Sequence, residues 1–409
     1  MKETEFLFFN GLDDLSDMTD LPALTRRLVS FASEFALEGN IWQQWLTYMI
    51  MTDENAFSLA CERREVAEDA TLLKLAEPDL AKFMDLMKMD PVPALSDYKA
   101  PYADNVMTAQ GKRISRLSEE LAKAEDISEF RSLVTGEYEL RGAGMYGLYR
   151  AFRLSSTADG TPEILPVIET SDISFDELVG YEEQKRVLKD NTEAFIRGEQ
   201  ANNVLLYGDS GTGKSTSIHA LMHDYCDDGL RLIEIGKNDR RHLPWVLAEA
   251  KKRNYKFIIY LDDLSFEENE SDFKELKNML EGALESREDR VLIYATSNRR
   301  HLIRETWNDR TDMEHDGDIH RSDTMEEKLS LASRFGITIY YGKPDYKEYI
   351  HIAKVLAKRN GLDIDDEELE SKARKWELRH GSTSGRTAAQ LIAWLKSGEE
   401  KERGQNGEQ

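Results

Sequence analysis

The sequence predicts an α/β fold: a five-stranded parallel sheet with helices on both faces, a small helical lid after it and a helical N-terminal domain before it. Three observations carry that prediction. Past residue 173, five short β-branched or apolar runs (204–207, 230–235, 257–261, 291–295 and 337–341) alternate with amphipathic stretches, the texture of strands buried on both faces by helices. The first run leads straight into a glycine-rich loop that opens a helix. Before residue 173 and after Pro344, apolar residues recur at helical spacing instead.

Taken in order, residues 1–154 form the expected helical domain. Residues 21–37 are amphipathic and stop at Gly39, residues 41–51 form a second run, and residues 55–89 a third that ends at Pro91 and Pro93. Residues 104–125 make another, after which Gly136, Gly142, Gly144 and Gly147 are expected to break the helical pattern. Residues 155–172, beginning Ser-Ser-Thr-Ala-Asp-Gly-Thr-Pro, read as a linker to the α/β core at 173–343. The lid at 344–397 has helices at 346–359, 366–379 and 385–396, the first two stopped by Gly361 and Gly381; a charged tail occupies 398–409.

Composition bounds the function. With 409 residues, the chain is long enough for two or three domains. Its formal charge of −24, mostly contributed before residue 201, argues against a surface that grips nucleic acid throughout. Nucleic acid is therefore the disfavoured partner. No run of about 18 apolar residues is present, so no membrane span is expected, and the first residues do not read as a secretory signal. Cys61 and Cys226 lie far apart and suit a reducing cytoplasm.

The chemistry begins at Gly208-Asp209-Ser210-Gly211-Thr212-Gly213-Lys214-Ser215, with Thr216 continuing into the helix. Glycines at this spacing let backbone N–H groups converge on a polyphosphate, and the helix N-terminus adds partial positive charge. Lys214 is placed to reach the β- and γ-phosphates and Ser215 to give a hydroxyl to Mg²⁺, the arrangement of a P-loop NTPase. Some fifty residues on, the apolar run 257–261 ends in Asp262-Asp263. Carboxylates at that end of a buried parallel strand sit in the ligand crevice. Asp262 is the expected holder of hydrated Mg²⁺, and Asp263 the candidate to orient or deprotonate a water. The run 291–295 ends in Thr296-Ser297-Asn298, which aims Asn298 at the same crevice.

These motifs, with Ser333-Arg334-Phe335-Gly336 before the last strand and Ser384-Gly385-Arg386 opening a late helix, resemble the AAA+ ATPases. More narrowly, Leu178-Val179-Gly180-Tyr181-Glu182, the segments 201–207 and 262–267, and Ala295 through Leu302 resemble a bacterial family known as domain of unknown function 815. The resemblance spans about 171–396. It implies ATP and Mg²⁺ as cofactors, Val179 and Gly180 against adenine, and Asn298 as a polar sensor. It also implies Arg334 as an arginine finger reaching a neighbouring subunit, and Arg386 as a lid arginine on the γ-phosphate. Two departures stand out: Asp263 replaces the usual Glu, one methylene longer, and 236–245 lacks the aromatic-apolar-glycine loop of polypeptide-threading relatives.

The expectation is a cytoplasmic, Mg-dependent ATPase that assembles as a homo-oligomer with shared sites and remodels an unidentified protein partner. The alternative is a nucleotide-gated binding module with little turnover, motivated by Asp263. A small-molecule kinase shares the phosphate loop but gives Asn298 and Arg334 no task. The basic clusters 240–242, 251–253 and 299–301 read as solvated faces, and His301, His315 and His320 with Asp316 and Asp318 fit no standard metal spacing.

Overall fold

The computed structural model describes residues 6–9, 20–64, 70–100, 106–168, 173–264, 290–298 and 335–406. The chain divides into two compact units, residues 1–150 and 151–409.

The first unit is helical: α1 (Leu21–Phe35), α2 (Ile41–Thr52), α3 (Ala56–Glu62), α4 (Thr71–Met87), α5 (Ala109–Lys123), α6 (Ile127–Arg141) and α7 (Gly144–Leu148). Their starts follow from short polar side chains that accept the first free N–H groups. Asp20 accepts from Ala23, Asn40 from Gln43 and Asp126 from Glu129, while Asn55 and Ser58 form a reciprocal capping box. The core is aromatic: Phe9 meets Phe83 edge-on at 5.0 Å, and Phe57 meets Tyr138 at 6.0 Å. Two expectations differ here. The run 55–89 is two helices, and α6 passes through Gly136, where a side chain would meet nothing within 4 Å. A mid-helix glycine costs only about 1 kcal/mol, which the buried face of Phe130, Val134 and Tyr138 outweighs.

Among the described residues, the second unit is built on a seven-stranded sheet in the order β2-β1-β4-β5-β6-β3-β7. The five expected strands are present as β3 (Val204–Gly208), β4 (Leu230–Ile235), β5 (Lys256–Leu261), β6 (Val291–Ser297) and β7 (Ile337–Tyr341), and they pair in parallel. The two additional strands are β1 (Ala151–Ser156) and β2 (Pro162–Pro166), an antiparallel hairpin whose β1 pairs in parallel with β4. The start of the expected linker is thus strand and turn. Asp159 ties the turn by accepting from the Thr161 N–H at 3.3 Å and from the Thr157 hydroxyl, so the Ser/Thr/Asp/Gly composition serves a hairpin. Prolines at both ends of β2 blunt the new sheet edge.

Helices α8 (Glu182–Ile196), α9 (Lys214–Tyr225) and α10 (Leu243–Lys251) accompany the sheet. A buried core of Leu188, Phe195, Leu206, Ile218, Ile258 and Tyr294 joins α8 and α9 to the strands. The Tyr294 hydroxyl, fully enclosed, meets Thr192 at 2.8 Å and the Asn191 amide at 2.9 Å. Beyond β7 lie α11 (Tyr346–Arg359), α12 (Asp366–His380) and α13 (Gly385–Asn406), packed through Tyr349, Ile352, Leu369, Leu391 and Ile392. The backbone of α13 continues ten residues past the expected helix end at 396, through a charged segment whose Glu, Lys, Arg and Gln residues favour helix despite Gly398 and Gly404.

Candidate nucleotide site

The phosphate loop leaves β3 at Gly208, where φ is 129° and any Cβ would overlap the Tyr341 carbonyl on β7. Only glycine takes that backbone and that approach. The Asp209 N–H donates to the Tyr341 carbonyl at 3.0 Å, and its carboxylate accepts from the Lys343 N–H at 3.1 Å. Asp209 therefore anchors the loop and leaves Ser210 through Thr216 to line a cavity of about 690 Å³. The volume lies within the range of small-ligand and cofactor sites.

One end of this cavity is apolar, with Leu178, Val179, Ile352, Leu356 and Ala389 on its walls. Gly180 has φ 81° and lies beside that wall rather than in it. The other end carries the chemistry. Lys214 is only 5% exposed, and its ammonium donates to the carbonyls of Gly208 at 3.1 Å and Asp209 at 2.5 Å. Burial brings its pKa down from 10.5 to about 8, against the pull of Asp209, Asp263 and Asp262. A buried cation whose hydrogen-bond acceptors, among the described residues, are neutral carbonyls is electrostatically suited to an incoming anion.

Asp262 projects from the end of β5. Its Oδ1 accepts from Tyr260 at 2.5 Å, Thr296 at 2.7 Å and Ser215 at 3.3 Å. Enclosure by the cleft would raise the carboxyl pKa, but these three hydroxyls outweigh it and hold the group below the ordinary carboxylate value. A hydroxyl and an ionised carboxylate so close together are the oxygen donors that Mg²⁺ takes alongside water and phosphate, so the residues fit the ion.

Asp263 follows with φ 46°, a left-handed conformation that Asp tolerates better than most residues. Its carboxylate accepts from the Asn298 amide at 2.9 Å, and its N–H donates to the Thr296 hydroxyl at 3.0 Å. Arg240, read from sequence as part of a solvated cluster, instead donates to the carbonyls of Asp262 at 2.8 Å and Asp263 at 3.2 Å. The lid closes the opposite side: the Arg386 N–H donates to the Gly211 carbonyl at 3.3 Å, and its guanidinium reaches the Ser210 hydroxyl at 3.4 Å. Gly211, with φ 77°, admits this approach, since a Cβ there would stand 3.1 Å from that of Arg386. At the apolar end, Arg359 of α11 donates to the carbonyls of Asp176, at 2.7 Å, and Glu177.

The fold thus gathers Val179, Ser210 through Thr216, Asp262, Asp263, Asn298 and Arg386 around one cavity. Arg334 lies outside the described residues, as do His301, His315 and His320. Tyr260, Thr296, Arg240 and Arg359 are site residues that the sequence reading did not assign to the site. A polar hydroxyl two residues before Asp262, and so on its face of the strand, was the one signal that pointed to Tyr260.

Residues 148–399 match the protein family described as "Protein of unknown function (DUF815)". Among curated proteins, the replication factor C large subunit of Methanococcus vannielii is 38% identical over 69 residues, 17% of this chain and 13% of the relative. That of Nanoarchaeum equitans is 30% identical over 98 residues, 22% of each. The chain therefore spans less than a quarter of the length of either relative. Among solved structures, a RuvB variant from Thermotoga maritima aligns at 19% identity with a TM-score of 0.39, over 56% of this chain and 65% of that one. With the family match covering more than half its length, the chain belongs to the family described as "Protein of unknown function (DUF815)".

Proposed function

We propose that this protein binds ATP in the cavity between phosphate loop and lid and hydrolyses it with Mg²⁺ to remodel or assemble a protein partner. The observation that carries this reading is the convergence of Lys214, the Ser215–Asp262 pair and Arg386 on one cavity with an apolar end. In this reading adenine packs against Val179, with Gly180 turning the chain beside it, and the triphosphate runs along the loop N–H groups. Lys214 leaves its two carbonyls for the β- and γ-phosphates, and Arg386 turns from Ser210 to the γ-phosphate. Ser215 and Asp262 hold the cation, which when bound neutralises charge on the phosphate oxygens. Asp263 orients the attacking water once its carboxylate exchanges Asn298 for it, and Asn298 then contacts the γ-phosphate.

We further infer a cytoplasmic homo-oligomer in which Arg334 completes a neighbour's site and the N-terminal helical unit recognises the partner. A second reading, a nucleotide-gated binding module with little turnover, is favoured by one observation: the shorter carboxylate of Asp263 is held by Asn298. Phosphate release and particle mass across a range of protein concentrations separate the two. Hydrolysis that rises with assembly and falls in Arg334→Ala supports the shared-site ATPase. ATP-bound, folded wild type that releases no phosphate leaves the binding module.

A further inference from the structure

The strand that delivers Asp262 also carries Tyr260, whose side chain is 1% exposed and meets His219 edge-on at 5.8 Å. A phenylalanine would fill that space without burying a hydroxyl, and a buried hydroxyl is costly unless it finds a partner. Its short bond is to Asp262 Oδ1, at 2.5 Å; the Thr296 hydroxyl lies farther off at 3.4 Å. Thr296, 2% exposed on the neighbouring strand, bonds the same oxygen at 2.7 Å. Ser215 makes the third and longest bond there, at 3.3 Å. All three of these hydroxyl bonds to the carboxylate fall on Oδ1.

We infer that Tyr260 is a positioning residue, which together with Thr296 clamps Asp262 by Oδ1 and keeps Oδ2 for the hydrated divalent cation. The inference rests on the nucleotide-site reading above and adds a residue that acts through Asp262. Its logic is a division of labour among three hydroxyls. Tyr260 and Thr296 come from adjacent strands of the sheet, β5 and β6, whose paired backbones fix them. Ser215 sits in the first turn of α9, and its weaker bond can be given up to the cation while the other two keep the carboxylate in place. Without the clamp, the carboxylate rotates freely and orders itself only at the cost of cation affinity.

The test is a Mg²⁺ titration of full-length protein with a fluorescent ATP analogue, alongside binding in EDTA and competition by Mn²⁺ followed by electron paramagnetic resonance. In Tyr260→Phe, the half-saturating Mg²⁺ concentration should rise about tenfold, the worth of one charge-assisted hydrogen bond. Affinity in EDTA should change much less. Thr296→Val should show the same signature and Thr296→Ser should restore the wild-type titration, so a folding defect in one variant leaves the other informative. Unchanged Mg²⁺ and Mn²⁺ dependence in both Tyr260→Phe and Thr296→Val, with only a lowered melting temperature, would overturn the positioning role and leave the nucleotide site standing. Wild type that binds no nucleotide, with or without Mg²⁺, would overturn both.

Discussion

Lys214→Met should loosen ATP while firming the empty protein. The drop in the Lys214 pKa from 10.5 to about 8 corresponds to roughly 3 kcal/mol for carrying its charge in the empty site. Its folded-state value lies below its unfolded one. Between pH 8 and 10.5 the unfolded chain therefore holds a proton that the folded chain has given up, and this lysine's contribution to stability rises with pH. Below pH 8 the full cost is present. Methionine removes it and fills a similar volume. The Asp209 carbonyl keeps the Thr212 hydroxyl at 2.8 Å, while the Gly208 carbonyl loses the ammonium, a loss of about 1 kcal/mol. The net expectation is about 1–2 kcal/mol of added stability at pH 7, fading towards pH 10.5. ATP affinity should fall at least about thirtyfold, since a buried cation facing phosphate is gone. Nucleotide-free urea unfolding at pH 7 and pH 10, paired with calorimetric ATP titration, reads both quantities. Destabilisation beyond about 2 kcal/mol at pH 7, or wild-type ATP affinity, would refute the reasoning.

Three further outcomes follow from the same geometry. Gly208→Ala places a Cβ 2.9 Å from the Tyr341 carbonyl carbon at φ 129°, so thermal melting should show a loss of about 3 kcal/mol or more. Asp263→Asn preserves the left-handed turn but removes the carboxylate; phosphate release should fall about a hundredfold with ATP binding changed less than about threefold. Arg359→Ala frees the segment that Arg359 ties through the Asp176 and Glu177 carbonyls, and stopped-flow should show nucleotide leaving several-fold faster, with Arg359→Lys intermediate.

The sheet was legible because buried parallel strands must be continuous apolar runs, and all five stand within two residues of their expected limits. The hairpin was not: Ala151–Ser156 has polar hydroxyls at its end, and a turn rich in Ser, Thr, Asp and Gly looks the same in a linker. Gly136 misled for a related reason, because local propensity is weak beside a buried helical face. In the site, contiguous motifs exposed Lys214 and Asp262 as candidates. Tyr260 looked like one more apolar strand residue although its partner Asp262 lies two residues on; Thr296 and Arg240 were hidden because their partners come from β5 and the turn after it. Hydrogen bonds between segments brought together only by sheet order leave no local pattern to read.

The most direct test is phosphate release from Mg·ATP by folded wild type, beside Lys214→Ala and Asp262→Ala at matched concentration. Release above background that both substitutions abolish is the expected result. Equal release from all three proteins would mean that the cavity holding Lys214 and Asp262 does not perform the reaction.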